Sequence, residues 1–553
     1  MRLLLAFVSI SLSTLIPETS SSQLSQPRTL QDILFHVKTG VSDVLKRVKK
    51  VENDIVQVVN NITGTVMKIT DELIHHGLRL EKLGAIFAER NLTHYREQHK
   101  HVGLLKQLIP DVLFDSVLAI ADPILLNIES GLSKFFFQGD IILTDDQMDK
   151  LSLFFDDVDD KNEMEGKSWR KKRQITKMFD RWTDNTLYYF VEDSVDANTQ
   201  KSVQSALKYI EDRTCLSFKY DKTSPNRVRV FPGTGCYSSV GMIGGQQDLS
   251  LGEGCSVIGT VAHEFTHALG VWHTQMRDDR DKYVTIDLDA VEDSAQANFA
   301  KLDFQEVYSV TPYEYGSFMH YASNSFSKDK TSITIVPNES EYVHTMGNRM
   351  ISFYDMLMLN HHYECQNKCS AKRSAKCVNG GYPNPNDCKK CVCPLGYGGS
   401  LCDQLPDEGG EVLTATNDWQ TYKIELGENT TELRDDFITE TYWIIAPHGY
   451  KIEIKILNMY NSQCQISCPY NGIEIKKLPD IRVTNPRICC PEYKNILYTS
   501  ENNPTPIITY NRFSTARFTI TYRYVQEGEL QPGESSFARA NIPTRGERSS
   551  LYP

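Results

Sequence analysis

The amino-acid sequence predicts a multidomain chain: a mainly helical leader, an α+β domain, a small disulfide-rich module and a β-sandwich, in that order. Three observations predict it. The 553 residues are more than one hydrophobic core serves. All 14 cysteines fall at or after Cys215, so the stretch before it must be stabilised in another way. The apolar pattern shifts from helical spacing in the leader to period-two alternation beyond residue 407.

The chain opens on Arg2, an apolar run from Leu3 to about Ile16, and small residues Ser20 to Ser22. This reads as a secretory signal over residues 1–21. The run is too short to span a bilayer comfortably, and no later stretch reaches that length, so a secreted, extracellular protein without a transmembrane anchor is expected. The even cysteine count agrees, because disulfides persist in oxidising compartments. So do four glycosylation sequons at Asn61, Asn91, Asn338 and Asn429. A net charge of -12 with no long basic block excludes nucleic acid as an expected partner. Residues 22–173 carry apolar residues at helical spacing, as in Asp43 to Val58. They end in the basic cluster Arg170, Lys171, Lys172 and Arg173, after the acidic stretch Asp156 to Glu165.

Residues 174–365 are expected to fold as the α+β domain, with strands at Leu187–Val191 and Arg227–Phe231 and helices around Thr199–Ile210 and from about Ser256. The second helix carries His263-Glu264-Phe-Thr-His267, followed by Gly270 and His273. Two histidines four apart stand on one helix face and can grip a single metal ion. Gly270 tolerates the left-handed conformation that ends a helix and lets the chain return with His273 as third ligand. Three protein ligands leave a position for water, the pattern of a catalytic rather than a structural zinc site, with one ion per subunit. Glu264 stands beside the metal, placed to take a proton from that water. HExxHxxGxxH followed by a Met-turn, here Ser317-Phe-Met319-His-Tyr321, is the metzincin pattern.

On these residues the chain resembles the astacins within the metzincins. The tail Arg277, Asp279, Arg280 and Asp281 matches the family's RxDRD, and Ser317, Met319, His320 and Tyr321 match its SxMHY. The resemblance implies that Met319 lies beneath the metal and that Tyr321 is a further zinc ligand, able to swing away and stabilise the oxyanion. It implies the pairs Cys215–Cys365 and Cys236–Cys255. It implies a zymogen: Arg170–Arg173 resembles a furin-type site, so a furin-like convertase would remove residues 22–173. Within them, Phe137-Gln-Gly139-Asp140 resembles the family's aspartate switch, with Asp140 on the open zinc position in the zymogen only.

Cys369, Cys377, Cys388, Cys391, Cys393 and Cys402, in residues 366–403, resemble an EGF-like module, which implies the pairs Cys369–Cys388, Cys377–Cys391 and Cys393–Cys402. Such a module is too small for a core of its own. Residues 407–525 alternate as β-sandwich strands do and resemble a CUB domain. Their Cys464, Cys468, Cys489 and Cys490 are bunched, and their pairing stays open. Residues 526–553 are expected to be disordered. The whole order resembles the multidomain nematode astacins, which implies a secreted zinc endopeptidase acting on extracellular matrix or cuticle-type proteins. The alternative is a catalytically silent adhesion or matrix-binding protein, which the intact His and Glu residues disfavour. Two positions depart from the family: Thr274 stands where a glutamate contacts the mature N-terminus, and Val271 where a phenylalanine is usual.

Overall fold

The computed structural model describes residues 76, 77, 79, 80, 122–156, 180–302, 311–370 and 372–526. The expected signal segment, Asn61, Asn91, Arg170–Arg173, Gln174 and all but the first residue of the expected tail lie outside these.

The described leader lies against the α+β domain. Helix α1 (Pro123–Glu129) starts where the Asp122 carboxylate accepts the amide of Leu125, with Pro123 at the first helical position. A two-residue strand, β1 (Ile141–Ile142), and helix α2 (Asp145–Asp156) follow. In the α+β domain come β2 (Thr186–Val191), helix α3 (Ala197–Glu211), β3 (Ser217–Tyr220), β4 (Arg227–Phe231), β5 (Cys236–Ser239) and β6 (Gln246–Leu251). Their sheet has the order β1-β5-β6-β4-β2-β3, so the leader supplies its edge strand. The expected β4 bounds agree with those found, and β2 starts one residue earlier than expected.

Helix α3 is capped by the Asp196 carboxylate and buries Val203, Ala206, Leu207 and Ile210. Helix α4 (Ile258–Ala268) is buried over Gly259–Ala268, polar residues included, because it runs through the core rather than along its surface. Beyond it lie the short antiparallel pair β7 (Val284–Ile286) and β8 (Ile335–Pro337), and helix α5 (Phe353–His362) with a capping box between Ser352 and Asp355. Disulfide Cys215–Cys365 ties the end of this domain to the start of β3, and Cys236–Cys255 closes the loop upstream of α4.

The small module is a hairpin of β9 (Tyr382–Asn384) and β10 (Asp387–Val392) held by Cys369–Cys388, Cys377–Cys391 and Cys393–Cys402. The last region is a two-sheet sandwich. One sheet joins β11 (Val412–Thr414), β13 (Leu433–Ile445), β18 (Thr505–Phe513), β15 (Asn471–Ile475) and β16 (Arg487–Ile488). The other joins β12 (Gln420–Leu426), β19 (Ala516–Gln526), β14 (Tyr450–Tyr460) and β17 (Tyr498–Ser500). Alternation produces this: Ile452, Ile454 and Ile456 of β14 and Phe518, Ile520 and Tyr522 of β19 all face the interior. The bunched cysteines pair as Cys464–Cys490 and Cys468–Cys489, two parallel staples at one end of the sandwich.

Candidate active site

Helix α4 brings His263 and His267 to one face, and the turn after it brings His273 back to them. The turn depends on Gly270, whose φ of 98° lies in the left-handed region, and whose amide donates to His267 O at 2.7 Å. Each histidine is oriented by its other ring nitrogen. Nδ1 of His263 donates to Phe318 O (2.8 Å) and Nδ1 of His267 to Val271 O (2.7 Å). Nδ1 of His273 donates to Oε1 of Gln138 in the leader (2.8 Å). All three Nε2 atoms therefore turn inward, 3.1 Å apart for His263 and His267 and 3.3 Å for His263 and His273.

Asp140 of the leader enters this cluster. Its Oδ2 lies 3.1 Å from Nε2 of His263 and 3.2 Å from Nε2 of His273, and all four side chains are fully buried. The entry needs Gly139: its φ is 82°, and a Cβ there would stand 2.7 Å from the Phe326 ring. Burial raises the Asp140 carboxyl, but His273, His267 and hydrogen bonds from His263 and His267 outweigh it and hold the group well below its usual range. Burial holds His263 well below 6.5 and brings His273 down to about 4, against the opposing pull of Asp140. With each Nδ1 committed to an oxygen acceptor, the three Nε2 atoms converge beside the Asp140 carboxylate, an arrangement that suits a cation between them. Oδ1 of Asp140 has no hydrogen-bond partner either. The donor set of three nitrogens and one carboxylate oxygen is that of zinc.

Glu264 sits next to the cluster with both carboxylate oxygens buried and accepting no hydrogen bond. Burial first, and the Asp140 charge second, push its carboxyl well above the usual range, the direction that suits a proton acceptor near neutrality. Met319 is fully buried, and its carbonyl accepts the amide of Thr274 (3.0 Å). The Tyr321 hydroxyl, raised by burial, donates to the backbone carbonyl of Gln138 (2.5 Å), with its ring 4.7 Å from that of His273. In this leader-bound state the tyrosine is thus committed to the leader.

The residues of the RxDRD tail hold the loop together. Arg277 grips Asp279 with two nitrogens, and fully buried Arg280 donates to Gln275 O and to Asp281, which also meets Lys301 at 2.6 Å. Thr274 donates to Oγ of Ser317 (2.9 Å), which donates to Asp355 (2.5 Å). Burial pushes the Asp355 carboxyl up to about 6. The residue that replaces the family glutamate thus links the third histidine's turn to the Met-turn and to the cap of α5. Asn338 and Asn429 are exposed.

Sequence reading missed Arg349. Its guanidinium donates to Phe318 O, the carbonyl that orients His263, and to the leader's Asp122 at 2.7 Å, with both side chains 4% exposed. No local pattern marks a lone arginine 28 residues after Tyr321. Asn127 was missed too; its side chain makes two hydrogen bonds with the backbone of Cys236 and one with Gly139 O. Gln138 stands beside the recognised Asp140, and that adjacency was its only signal.

Residues 174–364 match the family model described as Astacin, a peptidase family. Among curated relatives, the zinc metalloproteinase nas-32 of Caenorhabditis elegans is 42% identical over 416 residues, covering 74% of this chain and 62% of that protein. The zinc metalloproteinase nas-17 of the same organism is 37% identical, covering 70% of this chain and 86% of that protein. The chain spans only 62% and 65% of the length of nas-32 and nas-31. Among solved structures, the high choriolytic enzyme 1 of medaka, a hatching enzyme zinc-protease, matches at 30% identity and a TM-score of 0.31, over 34% of this chain and 94% of that one.

Proposed function

Since the chain belongs to the astacin family, we propose that it is a secreted zinc endopeptidase, made as a latent precursor and acting on extracellular matrix or cuticle-type proteins. The observation that carries this reading is the buried set His263, His267, His273 with unpartnered Glu264 beside it. His263, His267 and His273 would hold the zinc, which would supply Lewis acidity toward a water and a substrate carbonyl. Glu264 takes the proton of the attacking water and delivers it to the leaving amine. With Gln138 gone, the Tyr321 hydroxyl is released to donate to the developing oxyanion, a contribution worth several kcal/mol in other hydrolases. Met319 keeps the floor of the site apolar and closed to solvent.

Latency follows from Asp140, which occupies the place a substrate carbonyl or water needs, while Gln138 occupies Tyr321 and His273. A furin-like convertase acting at Arg170–Arg173 would release residues 22–173. The module of residues 366–403 is read as EGF-like and residues 407–525 as CUB-like, with glycans on Asn61, Asn91, Asn338 and Asn429. Among the described residues no helix is long and apolar enough to cross a membrane. The test is digestion of a peptide library by the chain freed of residues 1–173. Cleavage that a chelator abolishes and added zinc restores is expected. Cleavage indifferent to the chelator would rule out the metal mechanism.

A further inference from the structure

The β-sandwich is joined to the α+β domain beside the Met-turn, through buried polar groups and shared apolar side chains. Glu314 stands three residues before Ser317 and is 4% exposed. Its carboxylate accepts the amide of Gly316 (3.0 Å), in its own turn, and the amide of Thr484 (3.1 Å), in the loop between β15 and β16. Gly316 makes the approach possible, since a Cβ there would lie 2.4–2.5 Å from three atoms of the Thr484 side chain. The Tyr342 hydroxyl donates to Thr484 O (3.2 Å).

A second grip lies on residues 345–350. Asn348 donates its amide to the carbonyls of Ser467 (2.8 Å) and Cys468 (3.1 Å), and Ser467 donates back to Met346 O (2.7 Å). The Arg487 amide donates to Oγ1 of Thr345 (2.9 Å). The loop of Ser467 and Cys468 is the one the disulfides Cys464–Cys490 and Cys468–Cys489 fix. The apolar cores cross the same boundary. Met350 is buried in the sandwich core, whereas Ile466 of the sandwich is buried with Ala322, Val336 and Val343 of the α+β domain.

Both grips act on the site at one remove. Residues 314–317 lead into Phe318, whose carbonyl orients His263, and into Tyr321. Residues 345–348 lead into Arg349, whose guanidinium binds the same carbonyl. A boundary built from buried hydrogen bonds and shared apolar side chains separates at high cost, since each group would be left unpaired or exposed.

We propose that the β-sandwich is a structural part of the active site rather than a free substrate-recruiting arm, with Glu314 and Asn348 as the positioning residues that seat it against the Met-turn. The activity readout of this inference rests on the peptidase reading; its structural readout does not. The test uses the chain freed of residues 1–173, with the sandwich intact, in four forms: wild type, Gly316→Ala, Thr484→Gly and the double variant. Gly316→Ala, which drives a methyl group into Thr484, should lower kcat about tenfold or more with little change in KM. It should also speed hydrogen exchange at the amides of Met319 and Tyr321. Thr484→Gly should resemble wild type, and the double variant should recover both properties. Should Gly316→Ala not fold, Asn348→Ala, which loses both bonds to the disulfide loop, is expected to show the same kcat loss and exchange. Wild-type exchange in Gly316→Ala, or a loss that Thr484→Gly leaves unrelieved, would overturn the proposal. If wild type hydrolyses no peptide, the peptidase reading fails while the exchange comparison still decides the docking.

Discussion

Asp140 and Asp122 are two leader residues that reach the site in different ways. Asp140 puts a charge among three histidines, whereas Asp122 neutralises Arg349, which holds the carbonyl behind His263. Only the first was legible in the sequence, because FxGD is a local pattern and an arginine more than 220 residues from its aspartate partner is not. On the proposed latency, removing Asp140 frees the fourth ligand position beside the three histidines. The Asp140→Ala full-length chain is therefore expected to hydrolyse peptide before any cleavage of the leader, and Asp122→Asn, which breaks a buried pair, to add to that basal rate. Initial rates on the uncut proteins check this. An Asp140→Ala chain as silent as wild type would mean that the bulk of the leader, not its carboxylate, blocks the site. Thr274 was legible as a departure but not in its consequence. Its short hydroxyl reaches Ser317 and, through it, Asp355, a network that needs the folded Met-turn to exist.

At the scale of elements, the sequence specified α3, α4, β2 and β4 well because each has a strong local signal: a cap, a metal motif or alternation. The buried face of the sandwich was equally plain in Ile452, Ile454 and Ile456. What it lacked was any sign of how elements meet. Glu314 looks like a surface residue in Tyr-Glu-Tyr-Gly, yet it is buried between the Met-turn and the loop after β15. Burial pushes its carboxyl up to about 7; amides of Gly316 and Thr484 and the Lys476 charge oppose that, and Asp355 adds to it. The folded protein therefore holds this proton more tightly than the unfolded chain. The stability this contributes is complete below about pH 4.5 and is lost as pH rises towards 7, by about 3 kcal/mol. Glu314→Gln cannot titrate, so its unfolding midpoint should fall less than that of wild type between pH 4.5 and 7.5. Parallel midpoint profiles for the two proteins would contradict the burial of this carboxyl at the boundary.

At the scale of the whole molecule, cysteine spacing and alternation pointed to local folds, and the structure has a three-disulfide hairpin followed by a two-sheet sandwich. The pairing Cys464–Cys490 and Cys468–Cys489 was not legible in the sequence, because four bunched thiols are compatible with every connectivity and only the docked loop selects one. The leader, the α+β domain and the sandwich meet around one buried cluster: the leader brings Asp140, the α+β domain brings three histidines and Glu264, and the sandwich contacts Glu314 and Gly316 just before the Met-turn. The proposed activity makes this the site of a zinc peptidase whose proton acceptor is Glu264. It is tested most directly by measuring zinc content and kcat/KM together on the leader-free chain, as wild type and as Glu264→Gln. The expected result is one zinc per chain in both, with turnover in the variant lower by about three orders of magnitude or more. Equal turnover in the two proteins, or a wild-type chain that binds zinc and cleaves nothing, would contradict it.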